Sequence, residues 1–262
     1  MNRITKKFDH LKNTGKKAMI TYIMGGDLGL ETTYALTLEL EKAGADIIEL
    51  GIPFSDPIAD GPVIQRAANR ALEGGTSIAG IMEAVRKIRQ LSNVPLVFLV
   101  YYNSIFTYGV ERFLAASAAA GIDGLIVPDL PLEERDELLG NMGAYGLHLI
   151  PLVAPTSHER IKQITANAGG FVYCISTTGV TGQRSKINTD IKEYMKEVAA
   201  CTNLPRALGF GISGPEMAED FKDYCDGIIV GSAIVHEMEK SKDKGEVIAN
   251  VTHLVRAINH VL

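Results

Sequence analysis

The chain has 262 residues, of which 31 are acidic and 26 basic, giving a formal charge of −5 that leaves no broad cationic surface for nucleic acid. Any phosphate ligand is therefore expected to be small and locally held. With 46% hydrophobic residues, 26 glycines and three cysteines lacking any C-x-x-C spacing, the composition argues against disordered, disulfide-framed and structural-zinc classes and suits a globular α/β protein of a reducing, cytoplasmic compartment.

Near the start, Ile4, Phe8 and Leu11 recur at helical spacing, which predicts a short amphipathic helix lying as a lid on the fold. The first residues carry lysines but no apolar leader, and no window is long enough to span a membrane. From residue 18 onward, short apolar runs alternate with segments of helical period. Strands are predicted at 18–24, 46–50, 96–101, 124–127, 147–152, 171–176, 206–210 and 227–230. Helices are predicted near 32–43, 63–72, 78–90, 110–120, 132–144, 158–168, 190–200 and 215–224, with further helical pattern from Ala233 onward.

Strands that are apolar throughout and separated by helices imply a parallel sheet covered on its outer face. Eight such units match a (β/α)8 TIM barrel better than an open sheet, with an N-terminal helix and extra helices after strands 2 and 8. A weak echo, GADII at 44–48, GIDGLI at 121–126 and YCDGII at 224–229, fits repeated βα units, although any αβ loop favours Gly and Asp. No Pro/Ser-rich linker interrupts the pattern, so a single domain spanning 1–262 is expected.

In a barrel the reactive groups lie at the C-terminal ends of the strands. The stretch IELGIPFSDPIADGP, residues 48–62, is in that place. Alternation puts Glu49 on the face opposite Ile48 and Leu50, at the mouth if those two meet the helices. Apolar neighbours Ile47, Leu50 and Ile52 would dehydrate Glu49 and raise its pKa toward the range of a general acid. Asp60, on a loop ahead of Gly61-Pro62, is expected to stay ionised and mobile, so the pair has the unlike environments that an acid and its charged partner need. The alternative is that Glu49 pairs with a buried cation, while Asp56 and Asp60 are turn or cap residues.

GFGISGP at 209–215 and GSAIV at 231–235 follow the last two predicted strands, where barrels often hold phosphate on backbone amides and a helix N-terminus. Ser232 reads there as a ligand contact, since no G-x-S-x-G elbow accompanies it. The segment TTGVTGQRSK, 177–186, has the composition of a mobile lid or of an inert surface loop. Tyr173 could aim into the barrel or be a plain core tyrosine. The histidines show no paired ligand spacing, so no metal is expected.

The runs ELGIPFSDPIADGPVIQRA, PLVFLVYYNSIFTYG, GLIVPDLPLEE, STTGVTG, ALGFGIS and IIVGSAIV, in order over nearly the whole chain, closely resemble the tryptophan synthase alpha subunit family. The resemblance implies a lyase that cleaves indole-3-glycerol phosphate to indole and glyceraldehyde 3-phosphate without metal or cofactor. It makes Glu49 the acid/base that protonates the indole ring carbon, and Asp60 the group that steadies the ring N–H. Tyr173 then lines the indole site, and Gly182, Gly211, Gly231 and Ser232 match phosphate-binding positions. The loops of Asp60 and Thr181 close over substrate. The resemblance also implies a β subunit that carries pyridoxal phosphate and receives indole, in an αββα (α2β2) assembly, with Pro53, Asp56, Pro57 and Asn103 near the contact. Rival readings are a free-standing lyase of the same chemistry, a barrel acting on another sugar phosphate, and a catalytically silent activating partner. One departure stands out: Met24-Gly25-Gly26-Asp27-Leu28-Gly29 lacks the proline of the family's T-A-G-D-P, which predicts a less constrained first βα loop.

Overall fold

Apolar strand alternates with amphipathic helix throughout the computed structural model, which describes residues 1–175, 184–209 and 211–262. The order is α1 (Arg3–Thr14), β1 (Ala18–Met24), α2 (Leu30–Lys42), β2 (Ile47–Gly51), α3 (Pro62–Glu73), α4 (Ile78–Arg89), β3 (Leu96–Leu99), α5 (Tyr102–Tyr108), α6 (Val110–Ala120), β4 (Gly124–Ile126) and α7 (Asp136–Met142). It continues with β5 (His148–Leu149), β6 (Leu152–Val153), α8 (Ile161–Thr165), β7 (Val172–Ile175), α9 (Arg184–Cys201), β8 (Arg206–Gly209), α10 (Pro215–Phe221), β9 (Gly227–Val230), α11 (Ser232–Lys240) and α12 (Lys244–Asn259). All pairings are parallel, in the order β5-β4-β3-β2-β1-β9-β8-β7-β6.

The two ends of that order are one stretch of chain. Residues 148–150 pair with β4, the Ile150 N–H donating to Leu125 O at 2.8 Å, and Pro151 O accepts from the Tyr173 N–H of β7 at 2.9 Å. Nine strands thus fill eight positions of a TIM barrel. The predicted strand 147–152 is broken because Pro151 has no N–H with which to continue the ladder.

Two apolar layers follow from strand alternation. Ile48 and Leu50 pack outward with helix residues such as Leu36 and Ile81, whereas Ile20, Ile47, Val97, Phe171 and Ile229 fill the barrel. Ile4, Phe8 and Leu11 of α1 join the inner layer, each burial contributing about 1.5–3 kcal/mol. The predicted lid is therefore a plug. It lies at the N-terminal ends of the strands, where Arg3 pairs with Asp123 at 2.9 Å and Lys7 with Asp46 at 3.2 Å, and leaves the opposite end as the mouth.

The extra helices expected after the second and eighth strand positions are α3 with α4 and α11 with α12. Helix α5 was not predicted, because Tyr-Asn-Ser-Ile-Phe-Thr-Tyr has weak helix propensity. Its free first N–H is satisfied from afar by both carboxylate oxygens of Asp129, at 2.8 and 3.1 Å. The predicted helices at 132–144 and 158–168 are shorter than expected, with 3-10 turns at Leu132–Glu134, Gly143–Tyr145 and Pro155–Arg160. Helix α9 begins at Arg184, so the last three residues of the expected lid are helical. Among the described residues, no helix is long and apolar enough to cross a membrane.

Candidate active site

Glu49 sits at the third position of β2 and faces inward with Ile47, opposite Tyr22 of β1 in the register. It is completely buried, and neither carboxylate oxygen has a hydrogen-bond partner among the described residues. Burial alone pushes its pKa from 4.5 to about 8. No cation of the described residues pairs with it, so the alternative of a buried ion pair falls. One detail of the sequence reading is corrected: Leu50 and Ile52 belong to the outer layer and do not surround the carboxyl. The dehydrating wall is the barrel interior itself.

Asp60 reaches the mouth from the β2–α3 loop, just before Gly61 and the Pro62 that opens α3. Burial raises its pKa, and a hydrogen bond with the Tyr101 hydroxyl lowers it again. Against the expectation of an ionised, mobile carboxylate, Asp60 is partly enclosed, its pKa is raised and it is tethered to Tyr101. Tyr101, buried two residues beyond β3 and just ahead of α5, also accepts the Ala59 N–H on its hydroxyl at 3.0 Å, and its ring stacks on Phe54 at 5.2 Å. Sequence reasoning missed this tyrosine, which holds both ends of the loop. Its position at a strand end was the available signal.

A cavity of about 150 Å3 opens at the mouth, lined by Tyr22, Asp60, Leu99 and Tyr173 together with Gly209, Gly211, Gly231 and Ser232. Tyr173 lines this cavity and also packs against the inner apolar layer. Gly209 has no room for a side chain, since a Cβ there would lie 2.6 Å from the Tyr173 ring. A Cβ on Gly51 would likewise meet the Tyr22 hydroxyl at 2.2 Å. Gly211 has φ +60°, a conformation favouring glycine, and Gly231 precedes Ser232 at the first turn of α11. The mouth thus presents backbone N–H groups and a helix N-terminus beside Asp60 in the same cavity. Thr181 and Gly182 lie outside the described residues, as do residues 177–183 of the expected lid.

The first βα loop corrects the expectation of weaker constraint. Leu28 has φ +59°, which a proline ring cannot adopt. The loop is held instead by tertiary bonds: Asp27 is fully buried and accepts Arg70 Nε and Nη2 at 2.8 Å each, and the Gly26 N–H donates to Thr33 Oγ1 at 2.9 Å. Arg70 also donates to Glu239 of α11 at 3.0 Å, as does Arg66 at 2.7 and 2.8 Å. This network joins the helix behind Asp60 to the helix behind Ser232.

Of the remaining positions, Asp56 and Asn103 are exposed, Pro57 is half-buried and Pro53 is buried. They lie on the same rim as two exposed apolar side chains, Ile58 at 83% and Phe106 at 65% exposure.

The sequence profile of the family described as tryptophan synthase alpha chain matches residues 8–261. A tryptophan synthase alpha chain of Thermoanaerobacter sp. (strain X514) is 59% identical over 262 residues, 100% of both chains. One from Clostridium kluyveri is 55% identical over the same length and coverage. Tryptophan synthase subunit alpha from Legionella pneumophila str. Paris shares the fold with a TM-score of 0.92 at 37% identity, covering 100% of this chain and 98% of that one.

Proposed function

The chain belongs to the tryptophan synthase alpha chain family, and from that premise we propose that Glu49 and Asp60 perform its cleavage at the barrel mouth. The activity is that of a carbon–carbon lyase converting indole-3-glycerol phosphate to indole and glyceraldehyde 3-phosphate. The observation that carries the assignment is the wholly buried, unpartnered carboxyl of Glu49, protonated up to about pH 8.

Glu49 gives its proton to the ring carbon bearing the glycerol chain, which leaves positive charge on the ring nitrogen. The Asp60 carboxylate faces that N–H and stabilises the charge. Loss of the proton from the neighbouring chain hydroxyl to the Glu49 carboxylate breaks the carbon–carbon bond, returns electrons to the ring and reloads the acid. Tyr173 and Tyr22 wall the ring. Gly211, Gly231 and Ser232 hold the phosphate on N–H and hydroxyl donors, with Thr181 and Gly182 completing that side. No metal or cofactor enters these steps.

A family alpha chain works with a β subunit. We infer an α2β2 assembly in the cytoplasm, in which one domain of this chain meets its partner through Asp56, Pro57 and Asn103. Buried Pro53 shapes the contact loop, and pyridoxal phosphate belongs to the partner.

An indole-release assay on indole-3-glycerol phosphate tests the roles. Glu49→Gln should lose at least about 10³-fold in kcat with substrate-phosphate binding intact, and Asp60→Asn should lose less, about 10²-fold. Native-like turnover of Glu49→Gln removes that residue from the mechanism. Full turnover without a β subunit favours a free-standing lyase.

A further inference from the structure

A second cavity, of about 220 Å3, lies outside the mouth between the loop after β4, the break between β5 and β6, and α8. None of its lining residues belongs to the mouth cavity. Ten of its thirteen lining residues are apolar types, Pro128, Leu130, Pro131 and Leu152 among them, but backbone and charged groups make the exposed lining slightly more polar than apolar. At roughly 30 Å3 per water, it has room for about seven waters, which is more than a lone ion or trapped solvent molecule needs.

Arg135 lines this cavity and is only 6% exposed. Its Nη1 donates to Ile164 O at 2.6 Å, but Nε has no acceptor among the described residues. Burial lowers its pKa, against a weaker opposing influence from Asp136. The other charged groups on the lining, Arg160 and Glu133, are paired with each other at the exposed rim. Among the described residues no carboxylate forms an ion pair with this guanidinium and Asp136 compensates it only in part, and a buried charge so placed normally calls for an anion.

We propose that this cavity binds a small apolar monocarboxylate, an aromatic or branched aliphatic acid, with its carboxylate on the Arg135 guanidinium and its hydrocarbon body against the proline and leucine walls. A planar carboxylate matches the arginine fork.

The test follows arginine Nε–H resonances of the full-length chain by NMR during titration with phenylacetate and, separately, with uncharged phenylacetamide. One resonance, assigned by its absence in Arg135→Lys, should move saturably with a Kd of about 10 mM or tighter. Phenylacetamide should bind at least about tenfold more weakly, and Arg135→Lys and Arg135→Gln should each weaken phenylacetate binding at least about tenfold. The proposal is overturned if the Arg135 resonance does not move, if the amide binds as well as the acid, or if folded variants keep native affinity. Should Arg135→Gln fail to fold, the acid-versus-amide comparison on the native chain and the charge-retaining Arg135→Lys still decide it.

Discussion

Under the proposed role of Glu49 as the acid, a single residue couples activity to stability. Its carboxyl keeps its proton to about pH 8 in the folded chain but releases it near the ordinary 4.5 when unfolded. Between those values the folded state binds more protons, so stability falls as pH rises through that window and levels off above it. At about 1.4 kcal/mol per pH unit, the loss amounts to roughly 3–5 kcal/mol. Glu49→Gln abolishes this component: the difference in urea-unfolding free energy between variant and native chain should grow in the variant's favour from pH 5 to pH 8.5. A constant difference would show that the carboxyl is not held neutral. The same ionisation should reduce indole release above about pH 8, because the acid is then unloaded. Tyr101 works on the other carboxyl. Its hydroxyl meets the Asp60 loop at two points, which no local pattern in LVYYN announces.

At the level of elements, loops that looked independent in the chain are tied together behind the site. Arg70 on α3 makes a bidentate bond to buried Asp27 and a further bond to Glu239 on α11. Hydrogen bonding to Arg66, with support from Arg70, holds the Glu239 carboxyl down at about 2, so this contribution is present above about pH 4.5 and is lost as pH falls toward 2. Arg70→Met leaves Asp27 buried without its partner and should lower unfolding free energy by about 3–5 kcal/mol at pH 7. Denaturant melts measure it, and a loss under about 1 kcal/mol would mean that the loop can rehydrate Asp27. The short helix α5 belongs to the same level. Its N-terminus depends on Asp129, 27 residues away, so an assignment from local propensity alone passes over it.

For the whole molecule, barrel closure decides which faces remain free. The N-terminal end is plugged by α1, and the mouth end carries the exposed Ile58 and Phe106 beside Asp56 and Asn103. If that rim is the β-subunit contact, Phe106→Asp should weaken association with a tryptophan synthase β subunit at least about tenfold, as read by calorimetry, without changing the far-UV spectrum. Unchanged affinity would move the contact elsewhere. The barrel class, the unit order, the inward direction of Glu49 and the glycines that line the mouth were all legible in the sequence, because period-2 and helical patterns and glycine-rich turns are local signals. The lack of a partner for Glu49 among the described residues, the tether of Asp60 to Tyr101, the Arg70 network and the burial of Arg135 were decided only in three dimensions. Each depends on which side chains meet across the closed sheet, and neither the depth of burial nor the supply of partners for a polar group is written in its neighbours along the chain.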